Sequence, residues 1–337
     1  MPMPRVSVLF PARDAASTVR AAARTILRQS LRDLVLVAVD DGSRDGTAEA
    51  LLRLGEEDRR VVVIRTPAEG LPRALNRGLA RCDAEFVARM DADDLAHPRR
   101  LERQLEALGA APALWAVGSQ VRAFPRRAVR EGMKSYLAWL NGLVTPELVA
   151  RDLLVEAPIV HPASVIRRAA LERLEGWREG PFPEDYDLWL RASEAGGRLT
   201  NLPAPLLLWR EGPGRATRRD PRYTLERHIA LKCGHLRRTL LARSDEVAVW
   251  GAGETGKAFA DALLREGVRV ALFLEVDPRK VGRKVRGAAV RPFGEADRLR
   301  GRLPLLVAVG AKGARELIRQ ELTAKGMVEQ VDFWCVS

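Results

Sequence analysis

"LVLVAVDDGSRDGTAEALLRLGEE" (34–57) is the stretch from which the architecture is read. Six apolar residues run unbroken, two carboxylates and a Gly-bearing turn follow, and a helical pattern begins near Thr47. The same sequence of strand, polar turn and helix recurs on either side. "RVSVLF" (5–10) leads into "AASTVRAAARTILRQ" (15–29), "RVVVIR" (60–65) into "GLPRALNRGLARC" (70–82), and "AEFVARMD" (84–91) follows. This alternation predicts an α/β fold, a mostly parallel sheet covered by helices. Ligands of such sheets sit beyond the carboxyl ends of the strands. Pro11–Asp14, Asp40–Ser43 and Asp91–Asp94 each follow a strand, so they are expected to meet in one crevice.

At 337 residues the chain exceeds what one core usually serves, and two domains are expected. No apolar run approaches the roughly 18 residues that span a bilayer. The opening "MPMPRVSVLFPARD" reads as a first strand and not as a signal peptide. Cys82, Cys233 and Cys335 are odd in number and far apart. That spacing fits neither a zinc site nor a disulfide framework, and points to a reducing cytoplasm. The net charge of +12 comes mostly from Arg and suits nucleic acid, an anionic membrane or phosphorylated small molecules, or simply a solvated surface. Aromatics are 5% and do not interleave with basic residues in the manner that stacks bases, so nucleic acid is not expected as a partner.

From 125 to 200 the pattern is irregular. "MKSYLAWLNGLVTPELVARDLL" (133–154) reads as one or two helices with an aromatic face, followed by "APIVHPASVIRR" (157–168) and "FPEDYDLWLRASEAG" (182–196). "REGPGRATRRDPR" (210–222), rich in Gly, Pro and Arg, reads as a linker, and 224–243 as helical. A second α/β unit starts at "EVAVWGAGETGKAFADALL" (246–264). The expected domains are therefore 1–222, a basic linker helix at 223–243, and 244–337.

"FVARMDADDLAHP" (86–98) packs three carboxylates into four positions behind an apolar run. An Asp-x-Asp pair on such a turn suits a hard divalent cation, Mg²⁺ or Mn²⁺, shared with a substrate diphosphate. An Asp-rich turn capping the next helix from Asp94 or His97 fits the same spacing. "VDDGSRDGT" (39–47) sets two more carboxylates behind the second strand, where a base and ribose would be read. An Asx turn with Asp45 or Thr47 capping the following helix is the alternative.

The fragments "VSVLFPARDAASTVRAAARTILRQ" (6–29), "VDDGSRDGT" (39–47), "GLPRALNRGLARCDAEFVARMDADD" (70–94) and "FPEDYDLWLRA" (182–192) occur in this order and spacing. Together they resemble the inverting family 2 glycosyltransferases of GT-A fold, over about residues 5–210. The resemblance implies that Pro11, Arg13, Asp14 and Asp41 contact the nucleotide base, Asp41 accepting from its imide nitrogen. It implies that Asp91 sits near the ribose and phosphate beside the metal, and that Asp93 binds the metal bridging the donor diphosphate. Asp185 matches the family's general base, with Glu184 orienting it or touching the acceptor. The donor would be a nucleotide-diphosphate sugar, a UDP-sugar by preference, and the acceptor a glycan or a lipid-linked glycan. Many relatives carry Tyr-Asn where this chain has Arg13-Asp14, which loosens the assignment of the base; Arg13 would still stack on a base face. The family often has a His at the position of His161, which suits a pocket wall or a buried structural role. Tyr136, Trp139 and Trp189 would floor an acceptor sugar or pack helices, core packing being favoured for Trp189.

The chemistry is coherent on the residues alone. Cleaving a sugar–diphosphate bond leaves charge on the departing oxygen, which a metal at Asp93 stabilises. The attacking hydroxyl must lose a proton, which a carboxylate within reach accepts. Asp185 and Asp187 would alternatively complement a helix N-terminus. A sugar nucleotidyltransferase, the nearest rival enzyme, needs a Gly- and Lys-bearing first loop, and "FPARDAAST" (10–18) has neither. A non-catalytic nucleotide-sugar sensor is the rival from another class.

In the second unit Gly251, Gly253 and Gly256 form G-x-G-x-x-G, and Glu275 ends the next strand 22 residues after Gly253. That context is the dinucleotide fingerprint, and the unit resembles the Rossmann-type units of oxidoreductases and the N-terminal units of sugar acyltransferases. A nucleotide, a nucleotide-sugar or NAD(P) would bind there; an oligomerisation module, giving a homo-oligomer, a regulatory module, or an empty relic fold are the alternatives. Residues 210–243 carry ten basic residues against three acidic. That charge suits peripheral contact with an anionic membrane on its inner face, or a solvated linker helix.

Overall fold

The computed structural model describes residues 4–337 except 213, 216, 217, 219 and 312. Parts of the expected linker and the first three residues thus lie outside the described residues. The chain forms two compact units. The first comprises Met1–Ala150, Pro158–Gly180 and Glu184–Arg219; the second comprises Arg151–Ala157, Pro181–Pro183 and Asp220–Ser337.

The first unit is built on eight strands, β1 (Val6–Ala12), β2 (Leu34–Asp41), β3 (Val61–Thr66), β4 (Phe86–Arg89), β5 (Leu95–Ala96), β6 (Leu114–Phe124), β7 (Val165–Arg167) and β8 (Arg198–Arg210). They lie in the order β3-β2-β1-β4-β7-β6-β8-β5. β3, β2, β1 and β4 run parallel, while β7 is antiparallel to both β4 and β6. This is the expected α/β fold with a mixed, mostly parallel sheet. Every residue of β1 is buried, as unbroken apolar strands require when helices cover both faces. The helix Leu71–Leu79 lies directly on β1 and β2: a Cβ on Gly78 would stand 2.2 Å from Leu9 Cδ1 and 2.9 Å from Val39 Cγ2.

β4 stops while β1 continues to Ala12. The Leu9 carbonyl accepts from Met90 N at 3.1 Å, just past the end of β4. Two residues further along that edge of β1 stands Pro11, which has no N–H to pair. The parallel register then delivers the turns after β1, β2 and β4 to one edge of the sheet.

The second unit carries a six-stranded sheet of β9 (Glu246–Trp250), β10 (Arg269–Glu275), β11 (Lys284–Val285), β12 (Ala288–Pro292), β13 (Leu305–Val307) and β14 (Phe333–Cys335), in the order β11-β12-β10-β9-β13-β14. The helix Leu225–Arg238, expected as a separate basic linker, belongs to this unit. So do residues 151–157. Asp152 pairs with Arg319, Lys232 Nζ donates to the Val155 carbonyl at 2.7 Å, and His228 Nε2 lies 3.4 Å from Glu156. Burial lowers Lys232 to about 8. The three cysteines are free and buried, and burial pushes each thiol up to about 12. No helix among the described residues is long and apolar enough to cross a membrane.

Candidate active site

The turns after β1 and β2 are stitched together. Asp14 N donates to Ser43 Oγ at 3.0 Å, and Asp14 Oδ1 accepts from Arg44 N at 2.8 Å. Ala15 N donates to Thr47 Oγ1 at 2.7 Å and Ala16 N to Asp45 Oδ2 at 3.0 Å. The Thr47 hydroxyl and then the Ala16 N–H hold Asp45 below the usual carboxylate range. Asp14 has φ of 47°, a left-handed value that Asp tolerates better than most residues. Asp41 is buried and draws in the next loop, accepting from Glu69 N at 2.8 Å and Gly70 N at 3.0 Å. A Cβ on Gly42 would sit 2.6 Å from Ala68 N, so this contact tolerates no side chain. Arg13 is half exposed with Nη1 3.5 Å from Asp41 Oδ2, at the mouth of the same group. Pro11, Arg13, Asp14 and Asp41 are thus brought together.

Behind β4, Asp91, Asp93 and Asp94 each offer an oxygen within 4.8 Å of the others. Burial, and then the Asp91 charge, push Asp93 up to about 6. Asp94 is raised well above the usual range by burial first and by its two neighbours next. It does not cap the following helix: Asp94 Oδ1 accepts from Arg210 N at 2.7 Å, across 116 residues, while Oδ2 is buried without a partner among the described residues. An orphaned carboxylate oxygen beside two more carboxylates is a hard-oxygen donor set, and it fits Mg²⁺ or Mn²⁺. Asp91 and Asp93 would hold such an ion, with Asp94 behind them.

Three arginines frame this cluster that the spacing of acids did not disclose. Arg89 is buried, with Nη2 2.7 Å from Asp91 Oδ1. Arg100 is wholly buried and spans the Arg89 carbonyl at 2.7 Å and the Ser164 carbonyl at 3.2 Å. Arg210 Nε donates to the Asp93 carbonyl at 2.7 Å. Arg89 carried a weak signal, a cation inside an apolar run next to acids; Arg210 carried none.

Glu184 and Asp185 open the helix Glu184–Glu194. Asp187 in the same turn is structural: it pairs with Arg191 at 2.7 Å, and Arg191 also donates to the Leu174 and Gly176 carbonyls. Asp185 is less buried, and its Oδ1 accepts from Tyr186 N at 2.8 Å. Glu184 is buried with Oε1 3.9 Å from His161 Nδ1. Burial, and then the Arg89 charge, push His161 well below its ordinary value. The neutral ring accepts from Trp177 Nε1 at 3.0 Å, which puts its proton on Nδ1, facing Glu184. Trp189 is core, with Nε1 donating to the Ile159 carbonyl. Tyr136 lies 5.7 Å from Trp139 and 6.5 Å from Trp209, ring centre to ring centre.

In the second unit, Gly251 follows β9 with φ of 113°, and a Cβ on Gly256 would fall 1.8 Å from the Gly251 carbonyl oxygen. Gly253, by contrast, faces open space, with nothing within 4 Å of where a Cβ would be. Glu275 is buried and turned onto its own backbone, accepting from Ala252, Val276 and Asp277 N–H groups and from Lys280 Nζ.

Residues 7–175 match the protein family described as "Glycosyl transferase family 2". EpsE of Bacillus subtilis (strain 168), which carries the name of a glycosyltransferase, is 31% identical over 255 residues, 73% of this chain and 87% of that protein. The mannosyltransferase PcManGT from Pyrobaculum calidifontis, solved with GDP-Man and Mn²⁺, aligns with a TM-score of 0.51 at 23% identity, over 79% of this chain and 69% of that one. Residues 1–349 of S. aureus TarS, solved with UDP-GlcNAc, align with a TM-score of 0.56 at 18% identity, over 78% of this chain and 72% of that one. The two structures speak for the fold, the GT-A type of α/β sheet.

Proposed function

The chain belongs to glycosyl transferase family 2, and from that premise we propose that it moves a sugar from a nucleotide-diphosphate donor to a hydroxyl of a glycan or lipid-linked acceptor, inverting the sugar centre. One observation carries the reading: the Asp91, Asp93 and Asp94 cluster just past the end of β4, with a buried Asp94 oxygen that no donor among the described residues reaches. The complexes of fold-related chains with GDP-Man and Mn²⁺ and with UDP-GlcNAc support a nucleotide sugar as the donor and a divalent ion as its companion.

The residues divide the work as follows. Arg13 and Asp14 flank the nucleotide base. Asp41 accepts firmly from Glu69 N and Gly70 N and only at 3.5 Å from Thr66 Oγ1 and Arg13 Nη1, and it receives the base N–H in place of one of these long contacts. Asp91 and Asp93 would hold Mg²⁺ or Mn²⁺, which would supply Lewis-acid stabilisation of the charge that develops on the leaving group. Asp185 takes the proton of the acceptor hydroxyl as that oxygen bonds to the sugar carbon. The bond from that carbon to the diphosphate oxygen breaks on the opposite face, and its electron pair leaves with the nucleoside diphosphate. Glu184, held beside His161, orients Asp185 or the acceptor.

The test is a panel of nucleotide sugars, UDP-sugars first, assayed for release of nucleotide with Mn²⁺ and with EDTA. Release is expected with at least one donor and is expected to vanish with EDTA. Release indifferent to EDTA, or none with any donor and acceptor glycan, would refute the proposal.

A further inference from the structure

Beyond the end of β8 the chain carries a basic arm that the scheme above leaves unused. Arg210 is fixed onto the acid cluster by its backbone and side chain, and its guanidinium lies 4.5 Å from the centre of the Phe124 ring. The next residue, Glu211, has a side chain with no exposed surface, and its N–H donates to the Phe124 carbonyl at 2.7 Å. A carboxylate shut away from water must be matched by cations. Glu211 Oε2 accepts from Arg215 Nη1 at 3.0 Å, Oε1 is 2.5 Å from Arg218 Nη2, and Gly212 N donates to Oε1 at 3.0 Å. The Arg215 guanidinium also lies 3.7 Å over the Trp209 ring, which fixes its plane.

Two guanidinium groups on one carboxylate leave a positive charge unspent. Each guanidinium has five donors in a rigid fork, the geometry that suits phosphate. We infer that Arg215 and Arg218 bind the diphosphate of the donor, and that Glu211 is the buried anchor that gathers them in advance. The inference rests on the donor reading proposed above and extends it to the arm. Gathering two long side chains beforehand spares the entropy that diphosphate binding would otherwise spend on them. As the sugar–oxygen bond breaks and its electron pair moves to the diphosphate, the same two cations face the growing charge, so the arm acts on product as well as donor.

The test uses the full chain with Mn²⁺ and titrates UDP, GDP, ADP and dTDP, and each matching monophosphate, by calorimetry. The unmodified chain is expected to bind one diphosphate more tightly than its monophosphate. Arg215→Ala and Arg218→Ala are each expected to weaken the diphosphate about 10–100-fold, the worth of a charge-assisted hydrogen bond, and to leave the monophosphate nearly unchanged. Arg215→Lys keeps the charge without the fork and is expected to recover part of the loss. Because Arg215→Ala strands a buried carboxylate, the double variant Glu211→Gln/Arg215→Ala removes both charges and is expected to show the same loss. Undiminished diphosphate affinity in Arg218→Ala and in the double variant overturns the inference and leaves the donor reading standing. Failure of the unmodified chain to bind any diphosphate overturns both, and is told apart because it needs no variant.

Discussion

Asp93→Asn sets two consequences of the acid cluster against each other. Without a cation, three carboxylates keep oxygens within 4.8 Å of one another. At an effective dielectric near 20, two unit charges at that separation repel by about 3–4 kcal/mol, and Arg89 and Arg210 offset only part of this. Burial first, and Asp91 next, therefore raise Asp93 from 3.8 to about 6. A carboxyl raised on folding keeps its proton longer in the native state, so stability falls as pH climbs from about 4 to about 6 and stays lower above that. At about 1.4 kcal/mol for each pH unit, ionised Asp93 costs the metal-free fold about 3 kcal/mol at neutral pH. Asn fills nearly the same volume without charge. In EDTA at pH 7.5, Asp93→Asn is expected to stabilise the first unit by about 2–3 kcal/mol. With Mn²⁺ at a hundredfold over its dissociation constant, the unmodified chain is expected to gain about 2.7 kcal/mol and the variant almost nothing. Urea titration in EDTA and in MnCl₂ reads both effects on the same samples. A variant less stable than the parent in EDTA, or one that keeps the parent's response to Mn²⁺, would refute the reasoning.

Asp185→Asn is expected to lower kcat about 10²–10⁴-fold with the donor KM nearly unchanged, since Asn keeps the acceptor for Tyr186 N but cannot take a proton; equal losses in donor binding and turnover would sink the assignment. In the second unit, Gly256→Ala is expected to lower stability by about 3 kcal/mol or more, because its Cβ would fall 1.8 Å from a backbone oxygen, while Gly253→Ala stays within about 0.5 kcal/mol; comparable melting temperatures for the two would contradict the geometry. Burial works to lower His228, yet the Glu156 carboxylate 3.4 Å away prevails and raises it. That pair is worth at most about 1 kcal/mol given its partial solvation. The His228 share is fully present below about pH 6.5 and is lost as pH rises through the elevated value. His228→Asn should therefore lower the melting temperature more at pH 5.5 than at pH 9, and a uniform loss would exclude the ion pair as its source.

The parts of the fold that sequence discloses are those with local causes. The strand at 34–41 is visible because its apolar run and its Asp-Gly turn are contiguous. The helix expected from 15 begins only at Val19, since residues 14–16 spend their backbone on Ser43, Asp45 and Thr47, and no periodicity announces such a bond. The acids of the site were legible as a crowd of like charges. Their cations were not: Arg210 reaches Asp94 across 116 residues and lies in a stretch that reads as linker. The inclusion of 151–157 in the second unit was equally hidden, because Arg319 finds Asp152 across 167 residues.

The mixed sheet brings two acidic groups far apart in sequence to the same end of the first sheet. In a wholly parallel sheet the strand after β4 would approach from the far edge and leave its preceding turn at the opposite end. β7 instead runs antiparallel to β4, so the turn His161–Ala163 that precedes it arrives at the end where β4 delivers Asp91. Arg89 joins the two sides: its N–H donates to the Ser164 carbonyl at 2.9 Å, its guanidinium holds Asp91, and its charge helps keep His161 neutral beside Glu184. Arg100 then clamps the joint by bonding both the Arg89 and Ser164 carbonyls from a fully buried position. A buried cation with several hydrogen bonds is rigid in a way that a solvated one is not. The Asp91 side and the His161–Glu184 side are thereby fixed to each other through β4 and β7, so a substitution at Arg89 should disturb both the proposed metal binding and the proposed proton transfer, whereas one at Asp93 or at Asp185 should disturb only its own.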